Sequence, residues 1–170
     1  MGKVIYRDSH LEIEEKVVNV RGKRIVTKQF IQPDIAVILP LMGNGTFLLE
    51  RQYRHGLDAY NIEFPAGGIE RGEKPVTAAK RELEEETAYR PTRIRFMFKD
   101  FANPAVSKRM FHYFFADRFT RGKTNFDDTE EIGLLRVRPK RLEEMIGSGK
   151  ILDHKTICGY LYWKNYIAKK

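Results

Sequence analysis

The chain has 170 residues, of which 42% are hydrophobic and 32% are charged, and this balance excludes an intrinsically disordered protein and suits one globular domain. The single cysteine, Cys158, excludes an internal disulfide framework and a cysteine-rich zinc site, and favours a cytoplasmic location. No run approaches the roughly 20 apolar residues that span a bilayer, and the formal charge of +8 favours polyanionic partners, either a nucleic acid or a small phosphorylated substrate.

The first third of the chain has the pattern of β-strands. Residues 4–20 and 24–32 partly alternate apolar with charged residues, which predicts two half-exposed strands joined by a turn at residues 21–23. Residues 34–41 are almost wholly apolar, which predicts a central buried strand. We expect residues 46–54 to pair with that strand through the glycine turn that separates them.

A helical period follows. Val76, Ala79 and Leu83 lie on one stripe of a predicted helix from Pro75 to Ala88, and proline suits the first helical position.

The rest of the chain returns to strands and ends in helices. Three strands are predicted, at residues 94–101, 110–119 and 132–137. One C-terminal helix is expected from about residue 139 to 147, and a second begins after Asp153 as its N-cap.

Acidic residues crowd one edge of the first predicted helix. Glu82, Glu85 and Glu86 stand at positions i, i+3 and i+4, so their carboxylates gather beside the apolar stripe. Like charges at this spacing repel by roughly 0.2 to 0.5 kcal/mol per pair when exposed. Lys80 and Arg81 compensate in part, but a divalent cation such as magnesium or manganese does so better. The alternative is a solvated acidic face without a ligand.

A glycine-rich loop precedes this helix. Gly67 and Gly68 permit backbone angles that let a carbonyl, such as that of Ala66, turn toward a metal ion. Glu73 lies eight residues before Arg81, so we expect the two to pair and to brace the loop against the helix.

These residues resemble the box of the Nudix hydrolases, Gly-x5-Glu-x7-Arg-Glu-U-x-Glu-Glu-x-Gly-U, where U is a bulky apolar residue. Seven residues match in type and spacing: Gly67, Glu73, Arg81, Glu82, Leu83, Glu85 and Glu86. Two positions depart from the box, because Ala88 replaces its last glycine and Tyr89 its last apolar residue. Neither supplies a carboxylate, so both bear on the end of the helix more than on the chemistry.

The resemblance implies an α/β fold, an α/β/α sandwich around a mixed β-sheet, and attack of water on one phosphorus of a diphosphate. Magnesium ions, with manganese as an alternative, would neutralise the bridging oxygens. Glu82 and Glu86 would be the main metal ligands, with Glu85 as a further ligand and the Ala66 carbonyl completing the shell. Arg81 would belong to the same catalytic group.

Two further segments, at residues 50–54 and 63–68, resemble the ADP-ribose and ADP-sugar pyrophosphatase branch of that family. The implied substrate is a nucleoside diphosphate-sugar, with ADP-ribose cleaved to AMP and ribose 5-phosphate. Arg54, together with Arg51, would hold the diphosphate, a task that suits a planar guanidinium. Glu63 would accept a hydrogen bond from the substrate or support the loop.

The general base in this branch comes from an acidic loop before the last strand. Glu130, and after it Asp128, are the candidates here, although a solvated acidic turn is an equal alternative. Arg109 stands where the branch has a glutamate, and it is a candidate for holding a terminal phosphate.

Residues 1–31 exceed the needs of a compact core at residues 32–170. In this branch such N-terminal strands build a homodimer and line the adenine pocket, so Phe30 or Tyr6 is a candidate for stacking on the base. As sheet aromatics, both residues are more ordinary.

Other functions remain open at this point. A Nudix hydrolase of nucleoside triphosphates or RNA 5′ ends fits the basic charge. A noncatalytic ligand-sensing module is disfavoured by the complete set of glutamates, and no helix-turn-helix segment is evident. An RNA-binding domain would need aromatic and basic residues interleaved on one sheet face, and residues 109–119 alternate poorly.

Overall fold

The computed structural model describes residues 2–8, 11–123 and 132–169. The helices are α1 (Pro75–Thr87), α2 (Pro139–Gly147) and α3 (His154–Tyr162), and a π-helical segment (Trp163–Ile167) continues α3. The strands are β1 (Lys3–Arg7), β2 (Glu12–Val20), β3 (Lys23–Ile31), β4 (Ile35–Pro40), β5 (Phe47–Arg54), β6 (Ala59–Glu63), β7 (Ala66–Gly68), β8 (Tyr89–Phe101), β9 (Met110–Arg121) and β10 (Ile132–Val137).

The N-terminal strands form a sheet of their own. β1, β2 and β3 are antiparallel neighbours, so the segment predicted as one strand over residues 4–20 is in fact two. The predicted turn between β2 and β3 is confirmed, with Arg21 and Gly22 at positive φ. Large apolar side chains of this sheet are exposed, among them Val17, Val26 and Phe30.

The predicted central strand is confirmed. β4 lies inside a mixed sheet of order β7-β4-β9-β8, antiparallel to β7 and parallel to β9. Its side chains alternate between two cores, because Val37 and Leu39 enter the larger one and Ala36 and Ile38 the smaller one. Burial on both faces explains why its sequence is continuously apolar.

The predicted pairing of residues 46–54 with β4 is wrong. β5 pairs with β6 and β10 in a separate sheet; beside β4 it forms an isolated backbone bridge, Leu41–Phe47, and packs its side chains into the same larger core. Both edges of β4 are already occupied by β7 and β9, so no hydrogen-bonding edge remains for a hairpin partner.

The predicted first helix is confirmed to within one residue. Ala79 and Leu83 are buried in the smaller core as expected, but Val76 is 37% exposed and Ala78 faces the core instead. Ala88 caps the helix in the left-handed conformation, with φ 58°, which is the position where glycine is ordinarily favoured.

The C-terminal helices were predicted correctly, and the Asp153 carboxylate accepts the Thr156 N–H as an N-cap. α3 packs on the face of the mixed sheet opposite α1, together with α2 and the sheet of β5. The predicted α/β/α sandwich with an N-terminal strand extension is therefore confirmed. No helix in the described part of the chain is long and apolar enough to cross a membrane.

Candidate active site

The loop before α1 is held against the helix by one arginine. Arg81 Nη2 donates to a carboxylate oxygen of Glu73 at 3.0 Å and to the carbonyl of Gly68 at 2.9 Å, which confirms the predicted brace. Arg81 Nη1 also donates to Glu82 at 2.7 Å and to Glu85 at 3.1 Å. Hydrogen bonding by Arg81 lowers the pKa of Glu73, and Glu73 is the main cause of the raised pKa of Arg81.

Gly67 allows the loop to approach the acidic edge of α1. β7, which contains Gly67, is antiparallel to β4 and lies beside α1. A Cβ atom at Gly67 would stand 2.0 Å from the carboxylate carbon of Glu82, so any side chain there would displace that carboxylate. Neither Gly67 nor Gly68 has a positive φ, so the prediction that they supply unusual backbone angles is wrong; the missing side chain at Gly67 instead lets the Glu82 carboxylate lie against the loop beside Ala66.

The residues at this edge fit a divalent cation. Glu86 is 6% exposed on the core side of α1, and Glu82 and Glu85 lie on the same edge. Arg81 offsets the charges of Glu82 and Glu85, while the charge of Glu86 reaches Arg54. Carboxylate and backbone carbonyl oxygens are the donors that hard cations such as magnesium prefer.

A second charged group surrounds Glu63 on β6. Glu63 is 1% exposed, and its two carboxylate oxygens accept Arg54 Nη2 at 2.7 Å and Lys155 Nζ at 2.9 Å. Lys155 also contacts the Asp153 carboxylate at 2.7 Å. Burial acts to lower the pKa of Arg54, but Glu63, Glu86 and Asp153 together raise it. Glu63 was predicted to accept a hydrogen bond from the substrate or to support the loop, but in the structure its carboxylate pairs with Arg54 and Lys155 instead, so we assign it to positioning Arg54.

Arg54 and Glu63 line a cavity of about 530 Å³, a size typical of pockets for small ligands. Its other lining residues are Gln52, Tyr53, His55, Gly56, Leu57, Asn61, Asp153 and Lys155. Arg54 and Lys155, the two cations that flank Glu63, thus both line one polar pocket.

Sequence reasoning missed Lys155 and recognised Asp153 only as a helix cap. Lys155 lies 92 residues from Glu63 in the chain, so no local pattern joins them. The signal available was a lysine in the first turn of a helix, where the macrodipole disfavours a cation unless an acid compensates it.

The other predicted substrate-binding residues lie apart from this cavity. The Arg51 guanidinium stacks over the Tyr60 ring at 3.5 Å, and Arg51 is not among the described residues that line the pocket. Arg109 Nε donates to the carbonyl of Pro33 at 2.8 Å, and burial lowers the pKa of Arg109. Phe30 lies on β3, where its backbone N–H donates to the carbonyl of Val106. Glu130 and Asp128, the candidates for the general base, lie outside the described residues.

Comparisons with known proteins identify a family and a fold for this chain. The model of the NUDIX domain family matches residues 31–154. The chain is 28% identical over 163 residues to an ADP-ribose pyrophosphatase of Bacillus subtilis, covering 95% of this chain and 85% of that protein. It is 26% identical over 140 residues to a methanol dehydrogenase activator of Bacillus methanolicus, covering 81% and 76%. A solved structure of an ADP compounds hydrolase superposes with a TM-score of 0.86 at 17% identity, covering 98% of this chain and 91% of the other, and supports the fold alone.

Proposed function

Because the chain belongs to the NUDIX domain family and is a Nudix hydrolase, we propose that it cleaves a nucleoside diphosphate-sugar, with ADP-ribose as the preferred substrate and AMP and ribose 5-phosphate as products. The similarity to an ADP-ribose pyrophosphatase over nearly the whole chain supports this substrate class. The alternatives are nucleoside triphosphates and RNA 5′ ends.

The observation that carries the proposal is the position of Arg54 between the pocket and the acidic edge of α1. Arg54 lines the polar cavity, and it is close enough to Glu86 for that carboxylate to raise its pKa. A substrate diphosphate bound by Arg54 would therefore lie between the pocket and the acidic edge of α1. The cavity provides room and polar side chains for the groups attached to the diphosphate.

Glu82, Glu85 and Glu86, with the carbonyl of Ala66, would hold the divalent cation, which we take to be magnesium, with manganese as a substitute. When bound, the cation neutralises diphosphate oxygens and lowers the pKa of a bound water.

The chain's own residues bind and orient the substrate. Arg54 donates to diphosphate oxygens, and Glu63 keeps its guanidinium at a fixed position. Lys155 pairs with the second carboxylate oxygen of Glu63, so both oxygens of this buried side chain have a cationic partner beside the pocket. Glu130, or Asp128, would accept the proton of the attacking water. Arg51 and Arg109 remain candidates for more distant phosphate groups.

We further propose that residues 1–31 mediate a homodimer, with residues 32–170 as the catalytic core. The exposed apolar side chains of the sheet β1-β2-β3 support an interface, since such a surface is costly to leave in water. Phe30 would then stack on the adenine near the junction with the core.

The test is hydrolysis of a substrate panel in magnesium. The panel contains ADP-ribose, other ADP-sugars, diadenosine polyphosphates, nucleoside triphosphates and RNA with a 5′ triphosphate. We expect ADP-ribose to give the highest kcat/KM and to yield AMP and ribose 5-phosphate. Release of pyrophosphate from triphosphates at a higher kcat/KM would contradict the proposal.

The variant Arg54→Lys tests the pocket, because lysine keeps the charge but loses the two-pronged donor. We expect kcat/KM for ADP-ribose to fall at least tenfold. Arg93→Lys is the matched control, since Arg93 pairs with Asp117 elsewhere on the surface and should leave kcat/KM unchanged.

A further inference from the structure

Three potential metal ligands converge on the side of the molecule that carries α3. Asp100 lies near the end of β8, and His154 and Cys158 stand one turn apart on α3, at positions i and i+4. One ligand atom from each residue lies within 4.8 Å of the other two. They do not include the glutamates of α1.

The contacts within this group leave donors and acceptors poorly satisfied. His154 Nε2 is 3.8 Å from Asp100 Oδ2, which is beyond hydrogen-bonding distance. Asp100 Oδ1 is buried and has no hydrogen-bond partner among the described residues. The Tyr113 hydroxyl donates to Oδ2 over 3.4 Å, a weak contact. A buried carboxylate oxygen without a donor is costly unless a cation or another donor compensates it.

The donor set is that of zinc and not of magnesium. An imidazole nitrogen, a thiolate sulfur and a carboxylate oxygen bind Zn²⁺ at about 2.0 to 2.3 Å, so neighbouring ligands of a tetrahedral site stand about 3.5 Å apart. The observed spread needs a closure of roughly 1 Å, and the half-exposed His154 ring is able to make it. We propose that Asp100, His154 and Cys158 form a binding site for Zn²⁺ that is separate from the acidic edge of α1.

The surroundings suit such a site. Asp100 and Cys158 line a surface cavity of about 310 Å³, which leaves room for a water molecule or an anion as the fourth ligand. The Tyr113 hydroxyl would hold the carboxylate of Asp100, and the Phe111 ring lies 5.6 Å from the His154 ring. Outer contacts of this kind orient metal ligands.

The proposed ion would tie β8 to the first turns of α3, the helix that supports the pocket. Lys155 of that helix contacts Glu63, and the Thr156 hydroxyl accepts the backbone N–H of Phe64. Zinc binding should therefore stabilise the fold and rigidify one wall of the pocket. The site does not depend on which substrate the enzyme cleaves.

The test is titration of the full chain with Co²⁺, a spectroscopic substitute for Zn²⁺, in excess magnesium that fills the oxygen-rich site. Cys158 is the only cysteine, so a thiolate-to-cobalt charge-transfer band can arise only from it. We expect the band to saturate at one equivalent and to disappear when Zn²⁺ is added. Zn²⁺ should also raise the Tm and slow alkylation of Cys158 by iodoacetamide at least tenfold.

Three variants separate the proposed site from adventitious binding. Cys158→Ser should abolish the band, and His154→Gln and Asp100→Asn should weaken cobalt binding at least tenfold and remove the protection from alkylation. His112→Gln is the control, because His112 faces Asp34 at 3.3 Å without a thiol nearby, and it should bind cobalt like the wild type.

Absence of the band in the wild type would overturn the proposal. So would a band that persists unchanged in both His154→Gln and Asp100→Asn, since cobalt would then bind the thiol alone. His154 is half exposed, so its variant is expected to fold even if Cys158→Ser does not. If the wild-type protein gives the cobalt band but does not hydrolyse ADP-ribose, the proposed function is contradicted and the proposed zinc site is not.

Discussion

Glu86→Gln removes one negative charge from the acidic edge of α1 and preserves the side-chain volume. Glu86 is 6% exposed, and its charge acts on Arg54 as well as on the proposed cation. Loss of a metal ligand should lower kcat for ADP-ribose at least 100-fold, which corresponds to about 2.7 kcal/mol of activation free energy.

The same substitution predicts a thermal shift. Magnesium at about 100 times its Kd adds about 2.7 kcal/mol to the free energy of unfolding, but only about 0.4 kcal/mol if binding is 100-fold weaker. For a chain of this length the difference of about 2.3 kcal/mol is about 5 to 9 °C in Tm. Without magnesium the Tm of the variant should change little, because the repulsion between Glu82 and Glu86 and the attraction between Glu86 and Arg54 are lost together.

The assays are steady-state hydrolysis and thermal unfolding, each over a series of magnesium concentrations. Glu84→Gln is the control, since Glu84 lies on the same helix and faces Arg90 at 3.5 Å. It should retain kcat within about twofold and the full magnesium-dependent rise in Tm. Wild-type turnover in Glu86→Gln, with an unchanged magnesium dependence, would refute the assignment of this edge as the metal site.

Three further predictions concern stability. Ala88→Gly should raise the free energy of unfolding, measured in urea, by about 0.5 to 1 kcal/mol, because Ala88 has φ 58° at the end of α1 and glycine adopts this conformation without strain. Ala105→Gly is the control: Ala105 is exposed and has no positive φ, so this variant should lower the free energy of unfolding. Glu73→Gln should lower the free energy of unfolding at neutral pH and make it depend less on pH in the acid range. The reason is that Arg81 lowers the pKa of Glu73 below its ordinary 4.5. The stabilisation by the ionised Glu73 is therefore full above pH 4.5 and is lost as the pH falls through the folded-state pKa. If Arg93→Lys changed the pH dependence of unfolding as much as Glu73→Gln does, that dependence would not be specific to the Arg81–Glu73 pair. Lys155→Met should lower the free energy of unfolding by about 3 kcal/mol, because it leaves the buried Glu63 with one partner fewer. The double variant with Glu63→Gln should lose less than the sum of the two single variants. Additive losses would contradict the coupling between Lys155 and Glu63.

The glycine loop, the glutamates and the Arg81–Glu73 brace were predictable because they lie within one short stretch of sequence. A helix converts fixed spacing into a shared face, so the chemistry of the edge follows from local geometry. The long-range members were not predictable in this way. β5 joins β10, more than 75 positions along the chain, and Lys155 reaches Glu63 from α3. Packing and charge in the folded protein select those partners, and neither effect produces a periodic pattern in the sequence.

The continuously apolar run at residues 34–41 correctly predicted a central buried strand, but it gives no indication of which neighbour occupies each edge of β4. Val76 illustrates a related limit, since a regular apolar stripe predicted burial for this residue in the first turn of α1, whereas its side chain is exposed. Patterns report the face of an element reliably and its ends poorly.

The small side chains between α1 and the sheet have a consequence for adaptation. Ala36, Ala78, Ala79 and Ala116 let the helix lie close to the strands beneath it, so an added methyl group there would push the whole helix outward. New specificities should therefore be sought at the exposed pocket residues His55, Gly56 and Leu57 and at Asn61, which lie outside the packed contact between α1 and the sheet. Directed evolution for other leaving groups can vary these residues while the helix stays constant.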